Sequence, residues 1–111
     1  MSQLAKAVIE QINELNKLLT KDIDNNQKFE IKKKKYELYH ALDRIVEADF
    51  TDIKKTPAFK QALKAVKDAT KSAKDAKKSI DKVTKALKDT ADALGKIEKL
   101  VKGVLGVLAV F

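Results

Sequence analysis

The chain has 111 residues, the length of one ordinary domain, with 24 basic and 16 acidic side chains, three Gly, one Pro, no Cys and no Trp. Without Cys there is no disulfide scaffold, thiolate metal site or cysteine nucleophile. With so few Gly and Pro there are not enough turns for an all-β sandwich or barrel. The expected fold is therefore all-α, a bundle of three or four helices in one domain spanning 1–111.

Net charge is +8, carried by 23 Lys and the single Arg44. Lys is a strongly hydrated point charge, whereas Arg reads phosphates and bases with a rigid two-pronged fork, so a sequence-specific nucleic-acid binder is not expected. Residues 1–56 are close to neutral at +1 and residues 57–111 carry +7. The N-terminus lacks a basic-then-apolar signal pattern, and no run reaches the ~18 apolar residues of a membrane span. The expectation is a cytoplasmic chain, with contact at a membrane periphery left open.

The first helix is expected over 3–23. Ser2 is a plausible N-cap, and Leu4, Val8, Ile12, Leu15, Leu19 and Ile23 recur at steps of three and four, one stripe of an α-helix. Asp22, Asp24, Asn25 and Asn26 then favour a turn at 24–27. The second helix is expected over 28–49, closing a hairpin over 3–49. Its apolar positions are Tyr36, Tyr39, Leu42, Ile45 and Val46, joined less regularly by Phe29, and the helical spacing of the tyrosines reads as core packing. Residues 50–56 read as a loop, and Thr56-Pro57 as a helix start, with Thr at the N-cap and Pro at the first helical position.

From Phe59 a heptad runs without a slip. Its a positions are Phe59, Val66, Ala73, Ile80, Leu87, Leu94, Val101 and Leu108; its d positions are Ala62, Ala69, Ala76, Val83, Thr90, Ile97, Val104 and Phe111. Flanking columns are mostly small or apolar instead of the Glu and Lys of a two-stranded zipper, which suits a helix touching two neighbours. The expected helix covers 57–94, with continuation to about 110 as its extended form. Two breaks compete: a C-cap at Gly95, or a fold-back near Ser72 and Ser79 that would give four helices of similar length. A long helix would overhang the hairpin and expose an apolar strip, the basis for expecting a homo-oligomer or a partner helix. The expected helix interface is Val66, Ala69, Ala73, Ala76, Ile80, Val83, Leu87, Leu94, Ile97 and Val101.

Candidate chemistry is sparse. The run from Asp22 to Asn26 begins like a calcium loop, but Gln27 stands where Gly is required and Lys33 where Glu is required. His40, Asp43 and Glu47 share a helix face without the second motif a di-metal site needs. Ser72 and Ser79 have no base nearby in sequence. No enzyme activity, cofactor or metal is expected. Lys32, Lys33, Lys34 and Lys35 form a candidate anion contact. Residues 103–111 carry no charge and follow Lys96, Lys99 and Lys102. Lysines flanking an apolar segment describe an interfacial helix, making Lys96, Lys99, Lys102, Val104, Leu105, Val107, Leu108 and Phe111 the candidate membrane contact. The expected function is a non-enzymatic helical interaction module that self-associates or binds partner helices through the Ala/Leu/Val heptad face. The alternatives are a peripheral membrane or membrane-active protein, and a nonspecific polyanion binder.

Overall fold

The structure, a computed structural model, describes residues 2–47 and 56–110, with side chains as far as residue 103. Among the described residues the chain forms four α-helices and no strand: α1 (Gln3–Leu18), α2 (Asn25–Glu47), α3 (Pro57–Lys78) and α4 (Val83–Val110), with one 3-10 turn (Ile80–Lys82) between the last two. The all-α bundle expected from composition is what forms.

Local chemistry sets most helix starts. The Ser2 hydroxyl accepts from the Ala5 amide at 3.1 Å, and Thr56 Oγ1 accepts from the Phe59 amide at 3.4 Å with Pro57 in the first turn. Asp24 supplies the third cap, its carboxylate accepting from the Gln27 amide at 2.7 Å. The Asp/Asn cluster is thus turn and cap chemistry, and it starts α2 a few residues before the expected 28. α1 ends at Leu18 instead of 23, where Thr20 turns its hydroxyl back onto the Lys17 carbonyl at 2.7 Å. The expected loop at 50–56 lies, apart from Thr56, outside the described residues, as does the end of the helix expected to reach 49.

The continuous helix over 57–94 is corrected. α3 stops at Lys78, and Ser79 takes extended backbone angles, φ −143° and ψ 109°. No Pro or Gly marks the site, and the Ser79 side chain caps nothing. The reason is tertiary. Opening a helix forfeits a few backbone hydrogen bonds, each contributing about 1 kcal/mol net. Folding back lets the two halves of one apolar face meet, burying Val66, Val83, Ile97 and Val101 against Ala62, Ala69, Ala73, Ala76, Ala86 and Ala93. Each buried Val or Ile contributes roughly 1.5–3 kcal/mol, so burial outweighs the break. The alanines allow α3 and α4 to approach closely.

Helix directions follow from side-chain pairs. Glu10 meets Lys74 and Glu14 meets Lys77, so α1 and α3 run parallel. Ser72 meets Asp89, so α4 returns antiparallel to α3. His40 and Arg44 share a cleft with Ile97 and Val101, so α2 and α4 run parallel. α1 borders α2 and α3, and α4 borders α2 and α3; α2 and α3, successive in the chain, stand at opposite corners. The bundle measures 50 × 21 × 20 Å. Across its centre, Gln11 on α1 donates from Nε2 to Thr90 Oγ1 on α4 at 2.9 Å, both side chains fully buried.

Candidate interaction surfaces

The heptad face that sequence reading offered to a partner lies inside the bundle. Val66, Ala69, Ala73, Ala76, Val83, Ile97 and Val101 are buried, Leu87 and Leu94 are half-buried against the core, and Ile80, beside the fold-back, is 48% exposed. Through residue 103 the face on which self-association was expected is turned inward, because α4 covers α3.

The exposed apolar surface lies instead on α2, which buries only Ile31, Leu38 and Ile45, one residue every two turns. Four large side chains turn outward: Phe29 at 64%, Tyr36 at 66%, Tyr39 at 47% and Val46 at 64% exposure. Reading the tyrosines as core residues is therefore corrected. With α1 and α4 as its neighbours, α2 is a corner helix, and its stripe of Ile31, Leu38 and Ile45, with half-buried Ala41 and Leu42, already fills the space it faces. Tyr36 meets His40 edge to face, ring centres 4.7 Å apart. Lys32 and Lys33 stand exposed on the same helix, whereas Lys34 pairs with Glu37 at 3.5 Å and Lys35 donates to Asn16 Oδ1 at 2.8 Å. The four-lysine run thus divides into two exposed cations and two that tie the helix locally.

Between α2 and α4 lies a cleft of about 330 Å³. Its floor is Ala41, Leu94, Ile97 and Val101; its rim is Tyr36, Glu37, His40, Arg44 and Glu98. A hydrogen bond and the charge of Lys102 hold the Glu98 carboxyl below its ordinary range, with Arg44 adding to the effect.

On α3, Lys60, Lys64, Lys67, Lys71, Lys74 and Lys78 recur at three- and four-residue steps along the side opposite the buried alanines. Carboxylates flank this row. Glu10 takes Lys74 at 3.3 Å, and Asp68, Asp75, Asp89 and Asp92 line shallow clefts on the α4 side.

One cluster was invisible in sequence. Ser72 donates to Asp89, and Lys85 reaches Asp89 at 2.8 Å and Ser72 Oγ at 3.4 Å. Ser72 and Asp89 are 17 positions apart, with no signal between them that they meet; only the fold-back brings them together. Asp89 holds Lys85 protonated beyond its usual range, so the lysine is a poor general base toward Ser72. Burial raises the Asp89 carboxyl, but hydrogen bonds from Lys85 and Ser72 outweigh that and hold it below its ordinary value. His40, Asp43 and Glu47 are exposed, and no group of three metal-ligating side chains occurs among the described residues.

Toward the C-terminus, Lys96 pairs with Asp92 at 3.2 Å and Lys102 with Glu98 at 2.9 Å, while Lys99 is exposed. By the register of the pairs above, residue 104 is level with the start of α3 and the end of α2. Residues 105–110 continue the α4 backbone about 9 Å beyond that level. The side chains of Val104, Leu105, Val107 and Leu108, and all of Phe111, lie outside the described residues. No described helix is long and apolar enough to cross a membrane.

No known protein family, curated protein or solved structure matches this chain.

Proposed function

We propose that the protein is a non-enzymatic helical interaction module that presents the outer face of α2 to another helix. The carrying observation is the exposure of Phe29, Tyr36, Tyr39 and Val46 along one helix of a bundle whose core is complete without them. A row of large exposed apolar side chains of this kind, set among charged residues, is how soluble domains mark a binding surface. The rigid bundle supplies the platform, and the aromatic rings supply contact area at low cost in side-chain entropy.

Photo-crosslinking tests this reading. A benzophenone side chain at position 36 should form a protein adduct, and one at position 88, exposed on α4, should not. Adding Phe29→Ser and Val46→Ser should abolish the adduct from position 36. No adduct from position 36, or equal adducts from both positions, would overturn the reading.

A second reading, contact with an anionic bilayer, draws on one specific feature: the α4 backbone continues as helix to Val110 through an uncharged sequence preceded by Lys96, Lys99 and Lys102. Flotation with phosphatidylserine-containing liposomes should then retain the full chain and release residues 1–102. Equal flotation of both, or of neither, removes it.

A further inference from the structure

We infer that the partner of the α2 face is a second copy of this chain, docked antiparallel about a two-fold axis centred between residues 37 and 38. This rests on the reading of α2 as the interaction surface and commits that surface to one occupant. The exposed residues Phe29, Lys32, Tyr36, Tyr39, Asp43 and Val46 follow one another at steps of 3, 4, 3, 4 and 3. That spacing is the seam of a helix pair, on the side of α2 away from Ile31, Leu38 and Ile45.

The order of residues along the seam makes it complementary to its own reverse. Turned end over end on a copy of itself, Phe29 faces Val46, Lys32 faces Asp43 and Tyr36 faces Tyr39. Every apolar residue meets an apolar residue and every cation meets a carboxylate, twice each by symmetry. A parallel pairing stacks Lys32 on Lys32 and Asp43 on Asp43, and like charges disfavour it. A flat anionic surface is a poorer fit, because Asp43 and Glu47 stand on the same side of the helix as the lysines. The layers also alternate as an antiparallel helix pair requires, with positions three and four apart exchanging roles across the axis.

The seam spans about 26 Å at 1.5 Å per residue and is one helix wide. That is narrow beside the roughly 20–30 residues a side of a standard interface, so the dimer is a reversible one.

Charge reversal tests the register. Sedimentation equilibrium of the full chain, from micromolar to submillimolar concentration, should show a monomer–dimer equilibrium. Lys32→Asp sets two carboxylate pairs face to face, and Asp43→Lys sets two ammonium pairs. Each should weaken dimerisation about tenfold or more, with unchanged circular dichroism and melting temperature, because both positions are exposed. The double variant Lys32→Asp/Asp43→Lys should dimerise as the native chain does. An equimolar mixture of the two single variants should also recover dimer, seen as mixed pairs by native mass spectrometry. A native chain monomeric at every concentration, single variants that dimerise unchanged, or a mixture that fails to recover would each overturn the assignment. If the chain stays monomeric while position 36 still crosslinks to a protein of different mass, the interaction module stands and its partner is not a second copy.

Discussion

Gln11 and Glu14 lie one turn apart on α1 and are buried for different reasons. Gln11 gives one amide hydrogen to Thr90, but its carbonyl oxygen has no partner among the described residues, while Thr90 still donates to the Ala86 carbonyl at 2.8 Å. An orphaned buried carbonyl costs about 1–3 kcal/mol, more than one neutral hydrogen bond contributes. Gln11→Leu removes the orphan and leaves the threonine satisfied, so thermal or urea unfolding should show a gain of about 1 kcal/mol. A loss would mean that a water satisfies the amide. For Glu14, burial raises the carboxyl, but hydrogen bonds from Lys77 and Lys17 prevail and hold it below its ordinary value. Asp89 is depressed in the same sense. A carboxylate depressed in the folded state contributes stability that is fully present above its unfolded pKa, about 4, and is lost as pH falls through the lower folded value. Stability should therefore be flat from neutral pH down to about 5 and fall below about 4. Glu14→Gln and Asp89→Asn together should shrink that acid-dependent drop, as read from melts at stepped pH. A pH profile unchanged by the two substitutions would remove both ion pairs from the account.

At the scale of elements, the break at Ser79 separates propensity from packing. If a local signal at this residue made the turn, Ser79→Ala should restore a continuous helix, because Ala is the better helix former. If packing makes the turn, Ser79→Ala should leave the monomer's Cα radius of gyration near the present 14.4 Å by small-angle scattering and shift stability by no more than about 0.5 kcal/mol. The second outcome is expected, since Ser79 caps nothing and the buried α3–α4 seam is extensive. The seam itself is probed by neighbouring residues. Val66→Asp places a charge at a fully buried position and should cost several kcal/mol, whereas Lys67→Asp on the exposed face should stay within about 0.5 kcal/mol. Comparable losses would mean that the two residues do not face opposite ways.

In the molecule as a whole, the last residues of the chain are set apart by their lack of charge. Among the residues whose side chains are described, the core runs from Phe59 and Val101 at one end to Leu18, Ile23, Ile31 and Val83 at the other. Ending the chain at residue 102 should abolish any binding to anionic liposomes. Lysine attraction to such a surface is screened over about 10 Å at 0.1 M salt, so binding should weaken with salt. The α2 dimer rests on apolar layers as well as charge pairs and should respond less. A large fall in melting temperature on truncation would show that the last turns of α4 belong to the core.

Composition and local spacing are enough to read the class of fold, the starts of α1 and α3, the turn before α2 and the inward faces of α1 and α3. Period and capping are local: Ser2, Thr56-Pro57, the Asp/Asn cluster and the heptad from Phe59 each act within a few residues, so they can be read without knowing what lies opposite. Only the tertiary structure decided three other things. It turned the chain at Ser79, because two segments of one apolar face gain more by covering each other than a continuous helix keeps in hydrogen bonds. It joined Ser72 to Asp89 and Lys85 through that turn. It also left Tyr36 and Tyr39 outside, where periodicity alone placed them in a core: α2 stands at a corner and its narrow stripe of Ile31, Leu38 and Ile45 fills the space it faces. Helical spacing reports that two residues share a side of a helix, and the number of neighbouring helices decides how much of that side is buried.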